Sequence, residues 1–477
     1  MQVKNINRTK IIATIGPASS SPEMIRKIVD AGMNACRLNF SHVDHSTATN
    51  IINEINKINS EILFPITLIA DIQGPKLRVG NMGKDGVKLK SNSLVIITSK
   101  EIEGSEKSFT LRYPAISKDL KPNEHILLDD GKMEVKITRV INDTDVEAEI
   151  IRGGILHSNK GFNLPNSNVS LPALTEKDLK DIEFAISSDV DWIAMSFVRK
   201  PEDIIQLREI IKKSGKDIRI IAKIEKPEAI NNIDEIIEVT DAIMIARGDL
   251  GIEMPLQALP ILQKNIIQKC ITLAKPVIVA TQMMESMMTN TMPSRAEVND
   301  VANAVTDGAD AVMLSGETSV GQYPVETVST MLKIICDVEL DERPYLKGAI
   351  PKSEIAVPIL YEVCYMASRV SKFMNAKGII VMTSTGASAF QISSFRPKSY
   401  IFVFTNNRKL LRMLSLVWGI RGFYYDKYIS TDQTICDTID IVKEMKIVSP
   451  GDTIIHTASM PIERRGRTNT LRISVVE

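Results

Sequence analysis

Charge of one sign is missing from this sequence: Lys+Arg and Asp+Glu each total 58 across 477 residues. A balanced chain lacks the broad field that draws nucleic acid or anionic membranes. A few focused cations still suffice for small anions. Paired cysteines are missing too. The five present (Cys36, Cys270, Cys336, Cys364, Cys436) are scattered without a C-x-x-C pair, so they read as reduced thiols rather than a disulfide framework or zinc site. No apolar run reaches the roughly 18 residues of a spanning helix. The polar stretch Met1–Lys10 lacks the apolar core of a signal peptide. There is no low-complexity tract and no Gly-x-x-x-x-Gly-Lys-Ser/Thr phosphate loop. These absences lead us to expect a soluble, cytoplasmic protein, with 44% hydrophobic residues supplying cores for two or three domains.

What is present is a repeated alternation. Short, β-branched-rich runs recur at Lys10–Ile15, Ala35–Asn39, Ile66–Asp71, Trp192–Phe197, Ile218–Glu225, Ala242–Ala246, Pro276–Thr281 and Ala311–Ser315. Such continuous runs suit parallel strands buried on both faces. Helix-like stretches lie between them, among them Pro22–Ala31, Glu202–Lys213, Leu256–Leu273 and Arg295–Asp307. Eight βα units fit a closed (β/α)8 TIM barrel, placed at residues 1–75 and 172–344, beginning almost directly on its first strand. Residues 76–171 interrupt it with alternating Lys, Val and Ile and with turns such as Asp129-Asp130-Gly131. That pattern predicts a small inserted antiparallel β-barrel domain, read as a lid. After Arg343-Pro344 the alternation restarts, predicting a separate C-terminal α/β domain over 345–477.

Polar residues collect where the predicted strands end: Arg37, Asn39, Ser41 and His42; Asp71, Lys76 and Arg78; Ser196; Lys223 and Glu225; Arg247, Gly248 and Asp249; Thr281; Ser315. Active sites of these barrels sit at that rim. Residues two apart share a face, so Lys223 points with Glu225, and Arg37 with Asn39. Glu225 and Asp249 suit a hard cation such as Mg²⁺, and Lys223, Arg37 and Arg78 make a cationic cup for phosphoryl oxygens. Singly, each residue has an ordinary explanation: a rim salt bridge for Lys223 and Glu225, helix caps at Thr281 and Ser315, a turn at Gly248, a structural histidine at His42. Together at one barrel mouth they indicate a site.

These residues occur in stretches that resemble the pyruvate kinase family. They include Ile220-Ile221-Ala222-Lys223-Ile224-Glu225-Lys226, Arg37-Leu38-Asn39-Phe40-Ser41-His42, Ala246-Arg247-Gly248-Asp249-Leu250-Gly251, Ala280-Thr281-Gln282-Met283, Leu314-Ser315-Gly316-Glu317-Thr318 and Asn159-Lys160-Gly161-Phe162-Asn163. The resemblance runs over essentially the whole chain. It implies transfer of the phosphoryl group of phosphoenolpyruvate to ADP, giving pyruvate and ATP. Glu225 and Asp249 would hold Mg²⁺ (or Mn²⁺), and Lys223 would neutralise the phosphoryl group in flight. Arg37 would grip that group, with Gly248, Asp249 and Thr281 positioning the pyruvyl part. Asn39, Ser41, His42, Arg78 and Lys160 would serve the nucleotide, and a relay near Thr281 and Ser315 would protonate the enolate. The resemblance also implies a homotetramer.

Most of that family have Glu at the position of Lys76, and Thr and Lys at those of Ile72 and Gln73. They hold K⁺ partly through residues matching Asn39, Ser41, Asp71 and Ile72. The expectation here is that Lys76 replaces the monovalent cation, so that K⁺ is not required. In the C-terminal region, Thr383, Ser384, Thr385, Gly386 and Ser388 join a predicted strand to a helix, a place for anions. Arg464, Arg465 and Arg467 would add cations, and the family's regulatory phosphate esters bind in this region. Two other readings use the same rim: a Mg²⁺-dependent lyase or carboligase on pyruvate enolate, which would not need Lys160, and a non-catalytic sensor, which would have lost Lys223 or a metal ligand.

Overall fold

The computed structural model describes residues 7–165, 167, 170–345, 358–427, 430–460 and 466–477. Arg464 and Arg465 lie outside the described residues. Eight parallel strands close into a barrel: Lys10–Thr14, Ala35–Asn39, Thr67–Ile72, Trp192–Met195, Arg219–Ile224, Ala242–Ala246, Val277–Ala280 and Ala311–Leu314. The helices between them start and stop where local chemistry dictates. Ser21 caps Pro22–Ala31, whose end turns on Gly32 at φ 124, a conformation that favours glycine. Ser294 and Glu297 form a reciprocal capping box on Arg295–Asp307.

Two apolar layers follow from strand alternation. One face of each strand packs outward on the helices (Ile11, Cys36, Leu68, Ile193, Ile220, Ile243 and their neighbours). The other fills the barrel with Ile12, Ala35, Ile69, Ala194, Ile221, Met244, Ala280 and Met313, and Leu416 from the C-terminal region joins them. That region stoppers the N-terminal end of the barrel. Trp192 Nε1 donates to the Met413 carbonyl at 3.3 Å, and the fully buried Lys10 ammonium donates to the Ile420 carbonyl at 2.8 Å.

Between the third and fourth barrel strands the chain forms a six-stranded half-barrel with its own core. Beside it lies a two-stranded ribbon of Val87–Leu89 and Gly154–Leu156. The half-barrel is mixed rather than wholly antiparallel, because Leu94–Thr98 pairs with Ser108–Thr110 in parallel. The predicted turn is present, with Asp129, Asp130 and Gly131 all at positive φ.

The C-terminal sheet has five strands, the last, Thr470–Val475, running antiparallel at the edge. His456, on Thr453–Ala458, is 6% exposed, and its Nε2 has no partner among the described residues. Burial, with Arg472 adding, pushes its pKa down to about 4 from 6.5. Its neutral form is therefore favoured by folding. The stability tied to this is whole above pH ~6.5 and is lost as pH falls toward 4, at most roughly 3 kcal/mol. His456→Gln should flatten the melting temperature of the C-terminal region across that window; an unchanged slope would rule His456 out as its source.

Candidate active site

Alternation that fills the barrel with apolar side chains also builds the site. Two residues beyond the interior layer, on the same face of each strand, stand Thr14, Arg37, Asp71, Ser196, Lys223 and Ser315. This polar layer is tightly cross-linked. Asp71, 1% exposed, accepts from Arg37 Nε at 2.6 Å and from Lys223 Nζ at 3.1 Å. Arg37 also donates to Thr14 Oγ1 at 2.9 Å. Lys223 Nζ donates to Ser196 Oγ at 2.7 Å and lies 3.0 Å from Glu225 Oε1. Burial opposes charge on Lys223, but Asp71 and Glu225 outweigh it and hold the ammonium's pKa above its ordinary value. Lys223 is thus a fixed cation.

The expected runs at strands four and seven extend past the observed strand ends, because the chain turns away there. Phe197, Thr281 and Gln282 leave the strands with φ of 54°, 70° and 54°. A β-branched residue there costs ~1–3 kcal/mol. At Phe197 this turn aims the N–H at Glu225 Oε2, 2.7 Å away. At Thr281 it places Oγ1 to accept from the Gly248 N–H at 2.7 Å while donating to the Ala280 carbonyl at 2.5 Å. Gly74, at φ 69, lets the chain leave strand three directly over Ser196 and Phe197, where a Cβ would sit 2.9 Å from the Phe197 ring.

Glu225 is 1% exposed. Burial raises its pKa, Lys223 opposes, and Asp249 raises it further. Two carboxylates that repel each other, one of them reluctant to ionise, form a donor set that a hard divalent cation would relieve. Asp249 makes no side-chain hydrogen bond or ion pair among the described residues. The innermost charges also need one: Arg37 and Lys223 face three carboxylates, Asp71, Glu225 and Asp249. Oxygen-rich ligation by Glu225 and Asp249 therefore fits Mg²⁺. Among the described residues no group of three or more His, Cys, Asp or Glu is poised as a metal cluster.

A cationic rim surrounds this centre. Partial burial, with Lys76, Arg37 and Arg78 adding, lowers the pKa of His42, so all four converge. The Asn39 side chain accepts from the Ser41 N–H at 3.1 Å. Lys76 and Asp249 line one cleft with Asp130, Gly161 and Asn163 of the inserted sheet and with Lys226 of the rim. Lys76 itself is exposed and makes no ion pair among the described residues; Asp71, one of the four residues of the expected cation site with Asn39, Ser41 and Ile72, is held by Arg37 and Lys223. Nor is Lys160 free. It pairs with Asp129 at 2.9 Å within the inserted sheet, and Arg78 donates to the Asn159 carbonyl at 2.8 Å. Ser315 has its N–H held by Glu317 Oε2 at 2.7 Å.

Away from the barrel mouth, Thr383 and Thr385 spend their hydroxyls on the N–H groups of Gly386 and Ala387, at 3.0 and 3.5 Å. Ser388 is buried with its hydroxyl unpartnered among the described residues. Ser384 and Arg467 are exposed, and Gly386 has φ 88. Sequence reasoning missed Thr14, which ends the first strand in phase with Arg37 and Asp71, and the Lys226–Glu253 pair. Period-two counting inward from the rim would have found Thr14.

No helix of the described residues is long and apolar enough to cross a membrane. Residues 6–328 match the family "Pyruvate kinase, barrel domain" and residues 361–474 match "Pyruvate kinase, alpha/beta domain". A pyruvate kinase of Clostridium acetobutylicum is 40% identical over 99% of this chain and 100% of its own length. One from Staphylococcus epidermidis is 40% identical over 99% of this chain and 81% of its own length. The crystal structure of a pyruvate kinase from Cryptosporidium parvum superposes with TM-score 0.92 at 31% identity, covering 99% of this chain and 96% of that one. With the barrel, the inserted sheet, the C-terminal sheet and the rim all accounted for, this chain belongs to the pyruvate kinase family and is a phosphotransferase.

Proposed function

We propose that the chain transfers the phosphoryl group of phosphoenolpyruvate to ADP at the barrel mouth. The observation that carries this reading is Lys223, a buried ammonium held between Asp71 and Glu225 at 3.1 and 3.0 Å. It is aimed by structure rather than by substrate, so it stabilises transferring charge without reorganising. Arg37, fixed by Asp71 and Thr14, grips the phosphoryl oxygens. Gly248, Asp249 and Thr281 seat the pyruvyl part. Glu225 and Asp249 would hold Mg²⁺, which would supply the positive charge that the inner layer lacks. The enolate left after transfer takes its proton near Thr281 and Ser315. Asn39, Ser41, His42, Arg78 and Lys160 serve the nucleotide, Lys160 after the inserted sheet, residues 76–171, closes as a lid over the barrel mouth and excludes water. The remaining domains in this reading are the catalytic barrel, 1–75 and 172–344, and a regulatory and assembly domain, 345–477.

Lys76 takes the place of a monovalent cation, drawn by lid closure toward the group around Asn39, Ser41, Asp71 and Ile72. The closeness of its charge to those of Arg78, Asp249, Asp130 and Lys223 supports this reading. Pyruvate formation from phosphoenolpyruvate, ADP and Mg²⁺ should proceed in K⁺-free buffer and gain little from KCl. Lys76→Glu should make turnover K⁺-dependent by tenfold or more. Parent turnover only with K⁺ would keep the activity and reject this role of Lys76; no turnover in either buffer would reject the function.

The buried Ser388 hydroxyl, unpartnered among the described residues, and exposed Ser384 support an anion site at the Thr383–Ser388 loop, with Arg467 and, outside the described residues, Arg464 and Arg465. A phosphorylated metabolite should activate there. Saturation curves unmoved by a panel of sugar phosphates would overturn it. A homotetramer is supported by two apolar faces: Ile359, Met366 and Phe373 along Pro358–Phe373, and Ile473 and Val475 on the edge strand. Light scattering at a monomer's mass would exclude it. The free cysteines, four of them at least partly buried, suit a cytoplasmic enzyme; activity sedimenting with membranes would not.

A further inference from the structure

The helix Arg247–Glu253 carries Asp249 in its first turn. Glu253 lies four residues on, and so on the same face of the helix. Directly opposite, the end of barrel strand five presents Glu225 followed by Lys226. The two segments therefore face each other at two rungs. One is the pair of carboxylates Glu225 and Asp249, which repel each other. The other is the ion pair between Lys226 Nζ and Glu253 Oε1. A third element meets the second rung: Asn163 Nδ2, from the last strand of the inserted sheet, donates to the same Glu253 oxygen at 2.7 Å. The N-terminal end of the helix, which carries Asp249, is fixed separately. Arg247 donates to the Thr281 carbonyl and to Asp300 Oδ1, each at 2.7 Å.

This second rung is an expensive way to hold a helix. The Glu253 side chain is 0% exposed and that of Lys226 12%, and the other carboxylate oxygen, Oε2, is buried with no partner among the described residues. A buried ion pair is often no more stabilising than apolar packing of equal volume, and a bare buried oxygen costs about 1–3 kcal/mol more. Stability alone does not account for it. Its geometry does, since it sets the spacing of the two segments that bear the metal carboxylates and joins that spacing to the inserted sheet.

We propose that Glu253 is a positioning residue, which sets the separation of Glu225 and Asp249 through Lys226 and ties it to lid position through Asn163. This rests on the metal-site reading given above. Metal affinity and nucleotide binding are then coupled through one carboxylate that touches neither ligand.

The test uses Mn²⁺ binding to the purified full-length protein without substrates, followed by electron paramagnetic resonance, together with KM and kcat. Glu253→Gln keeps an acceptor for Lys226 and Asn163 but loses the ion pair. It should weaken Mn²⁺ binding about tenfold, as loss of an outer-shell partner does, and raise the KM for ADP. Asn163→Ala should raise the KM for ADP several-fold and leave Mn²⁺ binding unchanged. Combined, the two should raise it no further than Glu253→Gln alone. Mn²⁺ binding by Glu253→Gln equal to the parent, or additive effects on ADP, would overturn the proposal and leave the metal site standing. Parent-like binding in Glu225→Gln would overturn the metal-site reading and the proposal with it.

Discussion

Lys223→Met is expected to lower kcat about a thousandfold, or ~4 kcal/mol of transition-state stabilisation, with a far smaller change in the KM for phosphoenolpyruvate. The reason lies in how the ammonium is held. Asp71 and Ser196 fix it at 3.1 and 2.7 Å, so its charge is in place before transfer begins. Arg37, also bound to Asp71 at 2.6 Å, still grips the phosphoryl group in the variant and preserves binding. Removing one partner of a buried charge network also destabilises the fold. The melting temperature should therefore fall, and kinetics must be read below it. A folded Lys223→Met enzyme within tenfold of parental kcat would remove Lys223 from the chemistry.

Glu225→Gln should raise the Mg²⁺ concentration for half-maximal activity by about a hundredfold, yet leave the metal-free protein no less stable. Burial raises the pKa of Glu225 above its ordinary 4.5, so folding favours the protonated acid. Its contribution to stability is whole below that ordinary value and is lost as pH rises through the folded value. The ionised form is then a burden that the metal relieves, and glutamine removes it. The amide oxygen can still accept from the Phe197 N–H, now at 2.7 Å, so the left-handed turn stands. A clear drop in melting temperature without metal, together with unchanged Mg²⁺ dependence, would show that Glu225 is a structural ion-pair partner of Lys223.

Much of this was legible because one rule, alternation along a buried strand, generates both core and site. Ile221 fills the barrel, so Lys223 must point to its mouth; the same step leads from Ile69 to Asp71 and from Ala35 to Arg37. Illegible features depend on partners distant in sequence. Nothing local marks Glu253 as the acceptor for Lys226 and Asn163, or Asp129 as the holder of Lys160. The left-handed turns at Phe197 and Thr281 were hidden for a different reason. Aromatic and β-branched residues favour strands, and here tertiary hydrogen bonds to Glu225 and Gly248 override that preference. The parallel pairing of Leu94–Thr98 with Ser108–Thr110 was likewise unreadable, since alternation fixes a face but not a direction.

The interruption between barrel strands three and four sets the order in which the chain can be made. Thr67–Ile72 pairs early with Ala35–Asn39 but finds its second neighbour only in Trp192–Met195, after residues 73–191 have been synthesised. At ribosomal speed that is on the order of ten seconds, during which the open edge of strand three waits in a nascent half-sheet rich in isoleucine. The inserted sheet has its own core, built wholly from residues inside the interruption, and can fold in that interval. It brings the ends of the gap together before strand four emerges. A variant whose insert folds slowly should therefore burden chaperones during synthesis, even if its finished barrel is as stable as the parent.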